Sequence, residues 1–232
     1  MSAHAHAERV PPRTHAHDRT RSKLLAAAAE AFAEGGYYGT TVREICLRAA
    51  ANVAAVNYHF GDKLSLYTEV LRSFARTIDV EALVAEPGMP PEVLLRKIIQ
   101  MRLRGVFGSN DPDRGFRLMM HEWARPTPAM DRVVDETLRP LYNRFREIVG
   151  AILRLPPDHE TTRLCVHSIM GQAIHYVHGR PILKHLWPEL KMTPDRVDRI
   201  AAHIAEFSLA YLRDVAARSP AAAPGRRERR RS

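Results

Sequence analysis

Residues 41–63 read TVREICLRAAANVAAVNYHFGDK, and the spacing of side chains in this stretch decides the fold. Thr41 followed three residues later by Glu44 is a capping box, which opens a helix over about Val42–Ala49. A second short helix follows over about Ala54–Phe60, across a tight turn at Ala50–Asn52. Ile45 and Ala49 of the first helix, with Val53 and Val56 of the second, are spaced to face one core. That is helix-turn-helix geometry, in which the second helix enters the major groove. Its outward face would carry Ala54, Ala55, Asn57, Tyr58 and His59. Alanine methyls permit close approach and can touch a thymine methyl, and Asn can bond adenine in two places. Tyr, His and Lys suit phosphate oxygens.

Working outward, the pattern stays helical, and β-branched runs and Asn-Gly or Asp-Gly hairpin turns are missing. Leu24, Leu25, Ala28, Ala31 and Phe32 repeat at helical spacing, with Thr20 as the expected N-cap and Gly35-Gly36 as the stop. A further helix starts near Lys63 and carries Leu66, Tyr67, Val70 and Leu71. Pro87 to Pro91 breaks the chain. Helices are then expected over about 92–107, 115–124, 128–153 with a kink at Pro140, 159–178 and 194–217. The expected fold is all-α: an arm (1–19), a DNA-binding domain (20–66), a ligand-binding and dimerisation domain (67–218) and a basic tail (219–232).

The segment from about Arg21 to Tyr67 resembles the TetR family of bacterial transcriptional regulators. Gly35, the framework Thr41, Ile45 and Ala49, and the run Tyr58-His59-Phe60-Gly61-Asp62-Lys63 carry the likeness. The resemblance implies a three-helix DNA-binding domain and a helical C-terminal domain that dimerises and holds an inducer. It implies DNA contacts at Thr41, Arg43, Ala54, Ala55, Asn57, Tyr58, His59 and Lys63. Two departures stand out. Ala50 occupies a turn position where the family usually has Gly, and Asn57 one where it usually has Tyr. If position 50 is left-handed, its Cβ costs ~1–2 kcal/mol. HEWARPTPAMDRVVDETLRPLY (121–142) and HYVHGRPILKHLWPEL (175–190) are similar to the branch that controls efflux and drug-sensitivity genes.

The rest of the composition mainly excludes. The chain has 232 residues and a formal net charge of +9. The last 14 residues hold five arginines against one glutamate, so the body is near balance and charge alone argues little for nucleic acid. Two cysteines, Cys46 and Cys165, rule out a disulfide framework and any Cys-x-x-Cys motif, and both read as small core residues. No apolar run is long enough for a membrane helix and the N-terminus has no secretory h-region, so a cytoplasmic protein is expected. No Gly-rich phosphate loop, carboxylate pair or serine-histidine elbow is present, so neither an enzyme nor a cofactor is expected. His167, His175 and His178 share a helix face but lack an acidic partner, and packing is favoured over metal.

Met101, Phe107, Met119, Met120, Trp123, Phe145, Met170 and Tyr176 are pocket candidates, because Met and aromatic side chains adapt to apolar ligands. Ile169, Ala173, Ile204, Leu209 and Leu212 are dimer candidates, because their helices are apolar on more than one face. The expected protein is a homodimeric repressor that binds a palindromic operator in double-stranded DNA and is released by a small-molecule inducer. The alternative is a helical enzyme or carrier with an incidental helix-turn-helix.

Overall fold

A computed structural model describes residues 13–75, 88–108 and 111–218. The arm before residue 13 and the basic tail from 219 lie outside the described residues. Every regular element among those described is a helix: α1 (Arg13–Gly39), α2 (Val42–Ala49), α3 (Val53–Phe60), α4 (Lys63–Ala75), α5 (Pro91–Phe107), α6 (Pro112–Ala124), α7 (Pro128–Val133), a π-helical turn (Val134–Leu138), α8 (Arg139–Leu153), α9 (Glu160–His178), α10 (Arg180–Leu186) and α11 (Pro194–Arg218).

The helix ends follow local chemistry. Thr41 caps α2 by accepting from the Glu44 N–H at 3.2 Å, and Asn52 caps α3 by accepting from the Ala55 N–H at 2.8 Å. Pro112, Pro128 and Pro140 fall in first turns, where a missing N–H costs no hydrogen bond. The expected continuous helix over 128–153 is instead divided by the π-helical turn directly ahead of Pro140. A proline ring crowds the carbonyl four residues back, and a widened turn relieves that crowding. Thr20 is not an N-cap, because α1 is already helical from Arg13. Residues 13–19 therefore belong to α1 rather than to a disordered arm. The break at Gly35-Gly36 is present: Gly36 is non-helical at φ 66° inside α1. Helix α10 was not foreseen.

The described chain packs as two compact units, and the boundary expected at residues 66/67 is not where the packing divides. The first unit joins residues 13–75 to residues 111–137, so α6 and α7 belong with the helix-turn-helix. Leu24, Phe32, Ile45, Val56, Leu66, Tyr67 and Leu118 are fully buried there, and Phe32, Tyr37 and Tyr67 form an aromatic cluster with centroids 4.7–6.4 Å apart. The second unit holds α5 and α8–α11 around Leu95, Leu103, Val149, Leu153, Val166, Ile204 and Leu209. A bidentate pair between Arg104 and Asp198, at 2.6 Å for both bonds, ties α5 to α11, and Gln100 adds a third bond to Asp198.

Candidate nucleic-acid interface

Ile45, Cys46 and Ala49 of α2 and Val56 of α3 are buried between the two helices and α1 and α4. That fixes which faces are left for a ligand. Val53, expected inside, is 43% exposed, because it is the first residue of α3 and no further element covers it. The turn between the helices places Ala50 in the left-handed region, at φ 50° and ψ 46°. The Ala50 N–H donates to the Leu47 carbonyl at 3.2 Å and the Ala51 N–H to the Cys46 carbonyl at 2.9 Å, which closes the turn.

Of the eight expected DNA contacts, Thr41, Arg43, Ala54, Asn57 and Tyr58 are exposed, whereas Ala55, His59 and Lys63 are half-buried. Tyr58 is 75% exposed. Lys63 lies 4.5 Å from the centre of the Tyr37 ring, a cation–π contact, and burial lowers its pKa from the ordinary lysine value. His59, expected to suit a phosphate oxygen, is half-buried. Burial, then the charges of His17 and Arg21, lower its pKa from the ordinary imidazole value. Its Nδ1 has no hydrogen-bond partner among the described residues. Arg48 pairs with Glu34 and Glu44, each at 2.7 Å.

A buried carboxylate that the sequence did not advertise braces this unit. Glu122 on α6 is 3% exposed and accepts three hydrogen bonds. The Tyr67 hydroxyl donates at 2.7 Å, and the Thr127 N–H and hydroxyl each donate at 3.0 Å. Burial and the adjacent carboxylate push the Tyr67 phenol far above its ordinary pKa, so it stays a donor. On the same helix, His121 abuts the α1 break: a Cβ on Gly36 would fall 2.8 Å from its Nδ1. Arg125 stacks on the Tyr38 ring at 3.8 Å. Helix α6 and the Arg125 that follows it thus hold α1 and α4 at three points.

The pocket candidates are divided between the two units. Met119, Met120 and Trp123 lie on α6 in the first unit, with Met120 and Trp123 exposed. The other five lie in the second unit, where Phe145 is core, Met101, Phe107 and Tyr176 pack against that core, and Met170 is exposed. Arg102 and His178, half-buried in the second unit, have pKa values lowered by burial, and Arg102's charge adds to the effect on His178. A cleft of about 280 Å³ in the first unit, lined by Arg21, His59, Thr68, Arg72, Arg132 and Glu136 among others, was not foreseen either. Its charges are largely paired: Arg21 with Glu69, and Arg72 with Glu69 and Glu136.

The dimer candidates also need correction. Ile169, Ile204, Leu209 and Leu212 are at most 4% exposed and Ala173 packs against the same cluster, so all five serve the chain's own core. Helices α9 and α11 pack against α5 and α8 through that face. The large apolar side chains they leave exposed are Leu164, Met170, Ile174, Phe207 and Tyr211.

Comparison with known proteins agrees with this geometry. Residues 24–70 match the family described as bacterial regulatory proteins, tetR family. Residues 91–212 match the C-terminal domain of the HTH-type transcriptional dual regulator CecR. The HTH-type transcriptional dual regulator CecR of Shigella flexneri is 26% identical over 175 residues, which cover 70% of this chain and 78% of that protein. The HTH-type transcriptional repressor NicS of Pseudomonas putida is 32% identical over 83 residues, covering 35% and 39%. Among solved structures, the fatty acid degradation regulator FadR from Bacillus halodurans has the same fold, with a TM-score of 0.62, 15% identity, and coverage of 89% of this chain and 99% of that one.

Proposed function

The chain belongs to the TetR family of transcriptional regulators, with a CecR-type C-terminal domain, and we propose that it acts as a homodimeric repressor released by a small molecule. DNA binding is the activity of the family. The observation that supports an operator-reading surface is the exposed set Thr41, Arg43, Ala54, Asn57 and Tyr58, presented by two capped helices across a closed turn. One such set reads a half-site, and a twofold dimer reads a palindrome whose half-sites lie a helical turn or more apart.

The second copy docks on the exposed face of α9 and α11, through Leu164, Ile174, Phe207 and Tyr211. Large apolar side chains at these positions gain by leaving water, whereas the deeper residues of the same helices are already satisfied. The inducer binds in the second unit, near the end of α5 and the C-terminus of α9. Met101, Phe107 and Tyr176 offer apolar surface there for an apolar ligand. The inducer must favour the DNA-incompetent state, and a ~10²-fold preference supplies ~2.7 kcal/mol per site.

The test is selection of duplexes from a random pool by the purified protein, followed by sequencing. A palindromic consensus bound by two chains is expected. Arg43→Ala should weaken binding to it by ~1–3 kcal/mol, and Arg43→Ala and Tyr58→Ala should both leave the fold intact. Selection of no consensus, or full binding by both variants, overturns the reading.

A further inference from the structure

The family match begins at residue 24, yet α1 is helical from Arg13. The added turns lie against the recognition helix. The His17 ring meets the Tyr58 ring edge-on at 5.4 Å between centroids and the His59 ring at 4.3 Å. One turn later, the Arg21 guanidinium lies 5.2 Å from the centre of the Phe60 ring. His17 and Arg21 thus clasp the three consecutive aromatic residues that end α3.

The clasp matters because of what else holds Tyr58. Its side chain is 75% exposed, and among the described residues the rings set against it are those of His17 and His59. A tyrosine so exposed would sample several rotamers in the free protein, and ordering it on DNA would weaken binding. An edge-to-face neighbour selects one rotamer beforehand. His59 lies on the same helix and cannot be chosen independently of it, whereas His17 comes from a different element.

We propose that His17 is a positioning residue for operator binding: it presets the Tyr58 ring, and through it the phosphate contact at the end of the recognition helix. The N-terminal turns of α1, outside the matched DNA-binding segment, therefore contribute to affinity without needing to touch DNA themselves. This rests on the proposed DNA-facing role of Tyr58, and the test separates the two.

Binding to the duplex selected by the wild-type protein is measured for His17→Ala, His17→Phe, Tyr58→Ala and the double variant His17→Ala/Tyr58→Ala, with melting curves to confirm folding. His17→Ala should weaken binding roughly two- to tenfold, the range an edge-to-face ring pair supports. His17→Phe keeps a ring without an ionisable nitrogen and should restore it. In the Tyr58→Ala background, His17→Ala should have no further effect. A loss that Phe does not rescue, or that persists without Tyr58, means His17 acts on its own and overturns the inference. Unchanged binding by His17→Ala with a loss for Tyr58→Ala overturns it too, but leaves the DNA-facing role of Tyr58 standing. Unchanged binding by both single variants sinks that role as well.

Discussion

Replacing Ala50 with glycine should stabilise the protein, and the size follows from one torsion angle. Ala50 ends α2 at φ 50° and ψ 46°, where a Cβ crowds the neighbouring carbonyl at a cost of ~1–2 kcal/mol. The side chain is exposed, so removing its methyl group forfeits little packing. Glycine also gives the unfolded chain more freedom, which offsets ~0.4–1 kcal/mol of the gain. The net expectation is ~0.5–1 kcal/mol of added stability, or roughly 2–4 °C in melting temperature at the upper end. Ala51 supplies the control. It has no positive φ, so Ala51→Gly carries only the entropic loss and should lower the melting temperature. Thermal unfolding by circular dichroism and urea titration of both variants give the answer, and duplex binding should stay within about twofold for Ala50→Gly. A melting temperature that falls for Ala50→Gly, or moves the same way for both variants, would refute the left-handed strain.

Glu122→Ala removes the shared acceptor of the Tyr67 hydroxyl and of two Thr127 donors, and should cost about 3–5 kcal/mol in urea unfolding; a loss under 1 kcal/mol would mean that water replaces the carboxylate. Phe207→Glu with Tyr211→Glu should give folded monomers by light scattering, since both side chains are exposed on the single chain, whereas Ile204→Glu should unfold it. A Phe207/Tyr211 double variant that stays dimeric refutes the proposed interface. Stability should also fall as pH drops below about 6.5. His59 and His178 have pKa values lowered in the folded state, so the unfolded chain binds more protons below the ordinary imidazole value and gains population. Asp62, Asp111, Asp158 and Asp198, also lowered, withdraw their contribution only from about pH 4 downward. Melting temperatures that stay flat between pH 7 and 5 would contradict the histidine part.

The helix-turn-helix was legible because its signals are local. The Thr41–Glu44 pair declares the start of α2 within three residues, and Ala50 stood in the turn where a left-handed residue was needed; the Asn52 cap of α3 was read only as part of the turn. Burial was not local. Ile204 and Phe207 are three positions apart on α11, yet one is core and the other exposed. An apolar helix announces that it is covered on several sides, not which side its own chain covers. Met119 and Met101 look alike in sequence but pack in different units. Glu122, in an amphipathic helix, reads as a solvated charge, because its donors come from residues 55 positions before and five after. The π-helical turn was half visible: Pro140 promised a disruption, and the structure places it one turn earlier.

The first unit is discontinuous in sequence, and this sets an order of events during synthesis. The helix-turn-helix leaves the ribosome well before α6, yet Tyr67 waits for Glu122 and Gly36 for His121. The nascent DNA-binding unit therefore spends the time needed to make residues 77–110 with part of its core uncovered. Transplanting only the segment up to Ala75 into another regulator would make that transient exposure permanent. A hybrid that carries residues 111–137 along with it would keep the closing helices.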